Sequence, residues 1–396
     1  MKGMTIAALE ESRCAGCYAC VNVCPVGAIA MEQNAEGFPS PVINEGKCIE
    51  CSKCHRCCPV LSSTQGCKPT TQEVYAAWSL DEGIRYESTS GGVFSELART
   101  WLDEGGVLCG AQYGKEHRVE HVVVDSLEGL ARIRQSKYAQ SDIGICYRQI
   151  KELLGSNRRV LFCGSPCQCA GLTSFLGVKP EGLLVANFVC RGTNSPKAYS
   201  MFLSWLEDRY GSRVSRVWFK NKVRGWNRFS TRVEFEDGQT YSQDRYHDLF
   251  IRGYIEQNLY MRQCCHACDF REPDRTADIT LADFWGVKLQ DRSRNTDLGT
   301  SLVIVNSDRG RELFESIKPR LFWERKSIAE AFGGNDCMAN SPVANPKRSY
   351  FLSHLDDKPF DELCAECFEE YPMTQRISAV AKRMTKSVLR KIGACK

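Results

Sequence analysis

The sequence has no long apolar run and little net charge, and both absences narrow the class of protein. No stretch approaches the roughly 20 apolar residues of a membrane span, and residues 1–12 lack the apolar core of a secretory signal. A formal net charge of +4 over 396 residues is too small to indicate a nucleic-acid partner. We therefore expect a cytoplasmic protein whose thiols stay reduced.

Cysteine is the residue present in excess, with 23 copies. A disulfide framework is not expected, because such scaffolds are short secreted chains. Eight cysteines form two runs with the spacing C-x2-C-x2-C-x3-C-P, beginning at Cys14 and Cys48. This spacing is typical of ferredoxins that bind two 4Fe–4S cubes, because a tight loop presents three thiolates to one cube.

The fourth cysteine of each run is expected to bind the other cube. The first set is therefore Cys14, Cys17, Cys20 and Cys58, and the second set is Cys48, Cys51, Cys54 and Cys24. A pair of zinc ribbons is the alternative, but ribbons use two C-x2-C knuckles rather than three close thiols followed by Cys-Pro. The sequence thus predicts a two-cluster ferredoxin-type domain over residues 1–65 in a chain that moves electrons.

A polar linker over 62–71 separates this module from a region where strands alternate with helices. Strands are predicted at 74–78, 107–110, 121–124, 160–163, 183–189 and 304–305, and helices at 93–102, 143–154, 198–210 and 310–317. Asp237-Gly238 predicts a hairpin between strands at 231–236 and 240–243. The predicted fold is α/β (mixed α+β): a bacterial-type dicluster ferredoxin module, an α/β domain with a mixed sheet over 72–330, and a C-terminal extension over 331–396.

Two loops of the α/β domain have the residue types of a ligand site. The loop over 88–92 (Ser-Thr-Ser-Gly-Gly) is expected to follow a strand and open the helix at Val93, where free N–H groups suit a phosphate. An ordinary capped helix start is the alternative. The loop over 135–141 surrounds Lys137 and Tyr138 with hydroxyls, which suits a ring system with a phosphate tail, whereas a solvated loop is the alternative.

A further group of cysteines follows the predicted strands of the α/β domain. Its members lie at two strand ends and in a later C-x2-C pair: Cys163, Cys167, Cys169, Cys190, Cys264, Cys265 and Cys268. Cysteines at the ends of neighbouring strands, joined by such a pair, could converge on a third cube. A zinc site, or a group of thiols without a metal, are the alternatives.

Several of these motifs occur in one order along residues 72–320. They lie at 88–92, 137–138, 164–168, 262–268, 277–279, 283–286 and 297–301. In this order they resemble the beta subunit of coenzyme F420 hydrogenases and dehydrogenases, in which an N-terminal double-cluster module is a common fusion. The resemblance implies that the α/β domain binds FAD and has a 4Fe–4S cluster close by.

The resemblance also implies particular residues. The third set of cluster ligands would be Cys167, Cys190, Cys265 and Cys268, and the flavin contacts would be Ser90, Gly91, Gly92, Lys137 and Tyr138. The sequence departs from the family pattern at Arg191, where His is frequent, and at Ala282, where Gly is usual. Cys264 remains an alternative to Cys265, and Cys163 or Cys169 to Cys167.

Flavin and clusters together predict a flavin-dependent iron–sulfur oxidoreductase that passes electrons between its clusters and FAD to reduce or oxidise a small molecule. The alternative is an electron-input or carrier subunit of a larger redox complex, and a structural zinc protein is a third class. Partners would be an electron-donor or acceptor protein and a small-molecule substrate, and F420 is not implied as that substrate. No residue is assigned a catalytic role, although Lys137 or Tyr138 could donate a proton if either is more than a binding contact.

The C-terminal tail over 373–396 has seven basic residues and no acidic one. Its apolar residues recur at helical steps: Ile377, Val380, Met384, Val388 and Ile392. Such a helix suits peripheral contact with an anionic membrane. A terminal helix packed on its own domain is the alternative.

Overall fold

The structure is a computed structural model and describes residues 4–62, 72–271 and 277–369. Most of the predicted linker and the whole basic tail over 373–396 lie outside these ranges. Within the described ranges, no helix is long and apolar enough to cross a membrane.

The N-terminal module consists of two short helices and a hairpin. Helix α1 (Ala19–Val23) and helix α2 (Lys53–Arg56) carry the third cysteine of each run. Each helix begins after a residue with left-handed backbone, Tyr18 at φ 64° and Ser52 at φ 59°, so the two cluster loops repeat one local geometry. Strands β1 (Ile29–Gln33) and β2 (Pro39–Ile43) pair antiparallel between the loops.

The rest of the chain is built from eleven strands and eleven α-helices within the described ranges. The strands are β3 (Glu73–Ser79), β4 (Val107–Tyr113), β5 (Val119–Val124), β6 (Val160–Gly164), β7 (Leu183–Phe188), β8 (Val214–Asn221), β9 (Ser230–Phe235), β10 (Thr240–Asp244), β11 (Ile279–Asp283), β12 (Ser301–Val305) and β13 (Leu321–Lys326). The helices are α3 (Glu82–Glu87), α4 (Val93–Asp103), α5 (Leu127–Ile133), α6 (Cys146–Gly155), α7 (Pro166–Leu176), α8 (Pro196–Tyr210), α9 (Leu249–Ile255), α10 (Asp308–Ile317), α11 (Ile328–Gly334), α12 (Arg348–Ser353) and α13 (Phe360–Cys367).

Eight strands form one mixed sheet in the order β13-β3-β12-β11-β7-β6-β4-β5. The four central strands β4, β6, β7 and β11 run parallel, and the other neighbours pair antiparallel. Because parallel strands end at the same edge, the chain after β6 and after β7 emerges on one side of the sheet, where ligands bind in such folds. A smaller antiparallel sheet, β10-β9-β8, has its own aromatic core beneath α8, α9 and α13.

The predicted fold class is confirmed, with strands and helices near the expected positions and a hairpin between β9 and β10. The loop over 88–92 comes after β3 and opens the helix at Val93, as expected. Helix α3 lies between β3 and the loop, and Asp81 caps it by accepting a hydrogen bond from the Ile84 N–H at 3.0 Å.

Candidate functional site

The four cysteines of the second set line one small cavity of about 20 Å³. Apolar side chains form most of the remaining wall, among them Val26, Ile29 and Ile49. Val26 is 42% exposed and Ile49 is 60% exposed, so this cavity lies next to the solvent. The backbone N–H of Ala28 donates to the sulfur of Cys24 at 3.2 Å.

The first set lies between the ferredoxin module and helix α7. Burial raises the pKa of Cys20, and neighbouring Cys14 and Cys58 raise it further, which puts these three thiols at one site. Cys17 faces Gly171 of α7, where an added Cβ would lie 3.0 Å from the Cys17 Cβ and 3.1 Å from its sulfur. Burial also raises the pKa of Cys17, with a contribution from Cys167, so the first set adjoins the third.

The third set converges from three parts of the α/β domain. Cys167 lies in the first turn of α7, where Ser165 caps the helix, and Cys190 follows β7. Burial raises the pKa of Cys190 well above its ordinary value, and Cys265, Cys167 and Cys268 add to the rise. The structure thus brings together the four thiols that the resemblance implied.

The alternative cysteines lie in different surroundings. Cys169 faces the core, where its thiol donates to the carbonyls of Gly164 and Ala186 at 3.6 and 3.7 Å. Cys163 and Cys167 both line a larger cavity at the sheet edge, and burial raises the pKa of each. Lys137 is the charged neighbour of Cys163, whereas Cys265 and Cys268 are neighbours of Cys167. A hydrogen bond with Cys264 lowers the pKa of Cys265, and the Thr193 N–H donates to the Cys265 sulfur at 3.4 Å. This geometry favours Cys167 and Cys265 as the thiolates.

The three sets fit cubes better than single ions. Within the described ranges, no three His, Cys, Asp or Glu side chains are arranged to hold one metal ion. A cube binds each of its four thiolates through a different iron, so its donors stand further apart than those of a single ion. The second set surrounds a mostly apolar cavity, as a cube requires.

The larger cavity, of about 480 Å³, opens at the carboxyl edge of the parallel strands and falls within the range of small-molecule sites of roughly 300–1,000 Å³. Its wall includes Cys167 and Cys190 and four of the expected flavin contacts, Ser90, Gly92, Lys137 and Tyr138. Buried polar atoms in the wall lack a partner in the described chain: His121 Nδ1, Asn187 Oδ1, Arg191 Nε and Asn194 Oδ1. Because buried polar groups are normally paired, these atoms fit a polar ligand.

Gly91, the fifth expected flavin contact, lies behind the cavity wall. A Cβ there would lie 2.4 Å from the Ala77 carbonyl oxygen and 2.9 Å from the Ser301 nitrogen. Glycine at this position therefore lets the loop pack against strands β3 and β12. Gly92 lies in the wall itself with φ +89°, a backbone conformation that favours glycine.

Lys137 stabilises its own loop. Its ammonium donates to the carbonyls of Arg132, Arg134 and Gln135 at 3.1, 2.7 and 3.3 Å. Burial lowers the pKa of Lys137 to about 7. Because all three of its hydrogen bonds go to main-chain carbonyls, Lys137 fixes the conformation of this part of the cavity wall without a ligand.

A buried ion pair in the cavity wall had no signal in the sequence. Lys220 and Asp283 both line the cavity, and their side chains form a salt bridge. The Lys220 Nζ lies 4.4 Å from the centre of the Trp285 ring, and the indole N–H of Trp226 donates to the Asp283 carboxylate at 2.8 Å. Lys220 has φ +58° within β8, and such strained residues concentrate at functional sites. A lysine in a strand pattern ordinarily indicates a solvent-facing position, so the pattern offers no reason to select Lys220. Asp283 lies in the motif over 283–286.

Known protein families match most of the chain. Residues 13–61 match the 4Fe-4S dicluster domain, and residues 74–144 and 157–331 match the N-terminal and C-terminal parts of the coenzyme F420 hydrogenase/dehydrogenase beta subunit. A subunit of the F(420)H(2) dehydrogenase of Methanosarcina mazei is 28% identical over 334 residues, which cover 79% of this chain and 84% of that protein. A chain of the F420-reducing [NiFe] hydrogenase complex from Methanosarcina barkeri aligns at 19% identity and TM-score 0.45, over 71% of this chain and 97% of that chain.

The fold and the dicluster match define an iron–sulfur protein with an electron-transfer module at its N-terminus. The α/β domain matches both parts of one family in sequence order. The chain belongs to the family of coenzyme F420 hydrogenase/dehydrogenase beta subunits.

Proposed function

We propose that this chain is a flavin-dependent iron–sulfur oxidoreductase that passes electrons between 4Fe–4S clusters and FAD to reduce or oxidise a small molecule. The shared wall of the large cavity carries the proposal. Cys167 and Cys190 line the same cavity as Ser90, Gly92 and Tyr138. A cofactor bound there would adjoin the third cysteine set without intervening chain.

Each cysteine set would hold one cube, and the cavity would hold the flavin. With these groups bound, the chain would exchange single electrons with a protein and a hydride with a small molecule, because a cube carries one electron and a flavin handles one or two. The sets are ordered for that role. The second lies near solvent, the first adjoins α7, and the third borders the cavity.

The cavity offers contacts for both parts of a dinucleotide flavin. Tyr138, Phe229 and Trp285 present rings to a planar group. Arg245 lines the cavity with its guanidinium 5.0 Å from the Phe229 ring and 5.7 Å from the Trp285 ring, where it could pair with a phosphate. This gives Arg245 the cationic role that sequence reasoning gave to Lys137.

The Lys220–Asp283 pair is the best candidate for moving a proton at the cavity wall. Burial lowers the pKa of Lys220, and the salt bridge with Asp283 offsets part of that fall. A buried lysine beside a carboxylate can donate a proton and be recharged through that partner. In this proposal Tyr138 remains a binding residue, and Lys137 holds the loop that forms part of the cavity wall.

A pair of asparagines tests the flavin site. Asn187 lines the cavity with an unpaired Oδ1, whereas Asn306 is bonded to Thr280 Oγ1 and Gln72 on the same sheet. Asn187→Leu should lower the flavin recovered from anaerobically purified protein without lowering the stability of the flavin-free form. Asn306→Leu should keep its flavin but lose about 1–3 kcal/mol of unfolding free energy, because the substitution leaves the side chains of Thr280 and Gln72 without this hydrogen-bond partner. Full flavin occupancy in Asn187→Leu would show that the flavin site is elsewhere.

A carrier role within a larger complex is the second candidate function. The exposed Val26 and Ile49 beside the second set suit docking of a protein partner, and the relative from Methanosarcina mazei is named as a subunit. In that case another chain would supply the substrate site, and F420 would be a substrate of the assembly. Reduction or oxidation of F420 by the purified chain alone, with a chemical electron donor or acceptor, separates the two functions.

The basic tail over 373–396 would add a peripheral membrane contact to a cytoplasmic protein. Its seven cations beside an apolar stripe carry this part of the proposal. Full-length protein should co-sediment with vesicles containing anionic lipid at low salt and should be released at high salt. Deleting residues 373–396 should abolish the binding. If the full-length protein does not bind the vesicles at low salt, the tail has a structural role and not a membrane-binding one.

A further inference from the structure

Arg262 is a buried cation located between two cysteine sets. Its side chain is 3% exposed, and no carboxylate lies within ion-pair distance of it among the residues that the structure describes. Buried charges are costly unless they are paired, so an arginine of this kind requires a compensating negative charge.

On one side, Arg262 holds the loop of the first set. Its Nε donates to the Cys14 carbonyl at 2.5 Å, and its Nη1 donates to the Pro39 carbonyl at 3.0 Å. Nη1 also donates to Gln140 Oε1 at 3.0 Å, and the Gln140 amide in turn donates to the carbonyls of Ala15 and Gly16. A Cβ on Gly16 would lie 2.3 Å from the Gln140 amide nitrogen, so the contact requires glycine at that position.

On the other side, Arg262 belongs to the segment that carries the third set. The Cys265 N–H donates to the Arg262 carbonyl at 2.9 Å, and the Arg262 N–H donates to the Thr193 carbonyl at 2.9 Å. The guanidinium is close enough to lower the pKa of both Cys265 and Cys167, although burial raises that of Cys167 overall. One side chain thus lies against both sets.

We propose that Arg262 is a positioning residue shared by the first and third cluster sites, and that its charge raises the reduction potential of both clusters. The proposal rests on the iron–sulfur part of the proposed function and is independent of the flavin. Four thiolates give each site an excess of negative charge, and one-electron reduction of a cluster adds to it. A cation fixed beside both sites stabilises the reduced form of each, and the second set lies outside its contacts.

The test is a redox titration of the full-length protein, followed by the electron paramagnetic resonance signals of its clusters. In Arg262→Gln, the midpoint potentials of the clusters in the first and third sets should become more negative. The midpoint potential of the cluster in the second set should stay unchanged. Arg262→Lys keeps the charge and should leave all potentials near those of the unmodified protein. Equal shifts in all three clusters, or no shift in Arg262→Gln with every cluster present, would overturn the proposal.

Arg348 is the matched control. It is also buried and also anchors the ferredoxin module, but both of its Nη atoms pair with the Glu36 carboxylate at 2.7 and 2.6 Å. Arg348→Gln should therefore loosen the module without a selective shift in two potentials. If Arg262→Gln does not retain its clusters, the test rests on Arg262→Lys. A shift in the midpoint potentials of Arg262→Lys would show that hydrogen-bond geometry and not charge sets them, and would overturn the proposal. Iron analysis of the unmodified protein giving two cubes instead of three would count against the third site itself.

Discussion

The two cysteine runs of the ferredoxin module share one spacing and differ in surroundings. Both follow one spacing, and both helices begin after a left-handed residue. Cys17 of the first set packs on Gly171 of α7, whereas its counterpart Cys51 lines a cavity bordered by the exposed Ile49. The local motif therefore specifies the cluster, and the docking of the module specifies which cluster faces inward.

That docking is held by side chains that no cluster motif requires. Arg148 of α6 donates to the carbonyls of Val21, Asn22 and Cys24 at 2.8–2.9 Å. The Asn22 amide returns a hydrogen bond to the Gly144 carbonyl at 2.9 Å. Charge-assisted bonds to backbone carbonyls fix orientation as well as position, so the first set always faces the α/β domain.

Removing one thiolate from each of the two sets should have the largest effect on the protein. Cys17→Ser and Cys51→Ser should each lower the iron content from about 12 to about 8 atoms per chain, because each loses one of three cubes. They should differ in where the electrons of a docked ferredoxin stop. In Cys17→Ser a small ferredoxin should reduce the second-set cube but not the bound flavin, because the first cube is missing from the path. In Cys51→Ser the entry cube itself is missing, so the ferredoxin should reduce neither the remaining cubes nor the flavin.

Two results would contradict that prediction. Iron near 8 in the unmodified protein would remove the third cube, and Cys265→Ser would then leave iron unchanged. Flavin reduction by the ferredoxin at the unmodified rate in Cys17→Ser would mean that electrons enter without passing the first set.

Thiol reactivity sharpens the same comparison in the cluster-free protein. Burial raises the pKa of Cys17 well above its ordinary value, so its thiolate fraction at neutral pH is very small. Cys51 lines the solvent-side cavity instead. Iodoacetamide should alkylate Cys51 faster than Cys17 by on the order of tenfold or more, as read by peptide mass spectrometry. Equal rates would show that the module is not docked in the absence of clusters.

A single methyl group should disturb the first set and leave the second intact. Gly171→Ala places a Cβ 3.0 Å from the Cys17 Cβ, which should cost about 1–3 kcal/mol of unfolding free energy, because a cluster ligand has little room to move. Gly155→Ala in α6 meets no atom within 4 Å and should stabilise by about 0.5–1 kcal/mol. Urea unfolding measures both. A neutral Gly171→Ala would mean that α7 does not press against the first cluster loop.

The cysteine runs and the strand–helix alternation could be predicted because their signals are local. The sheet edge that gathers Cys167 and Cys190 followed from parallel strands, and the C-x2-C pair added Cys265 and Cys268. Lys220 and Arg262 could not be predicted, because their roles depend on burial and on partners 63 and 248 residues away in sequence, Asp283 and Cys14. The resemblance assigned Gly91 to the flavin, and the structure adds a separate reason for glycine there, the backbone of the neighbouring strands.

Acid should destabilise the cavity wall through His121. Burial lowers the pKa of His121 to about 4, below the ordinary value of 6.5, so the unfolded chain binds a proton more readily than the folded one. Its stabilising contribution is therefore complete above pH 6.5 and is lost as the pH falls toward 4, by about 1 kcal/mol between pH 7 and pH 5.5. His121→Phe keeps the ring stacked near Phe162 and cannot titrate, so its unfolding free energy should change less with pH over this interval. An identical pH dependence in both proteins, measured by urea unfolding, would assign the acid sensitivity to another group. A weaker pH dependence in His121→Phe would assign the acid sensitivity to His121 in the cavity wall.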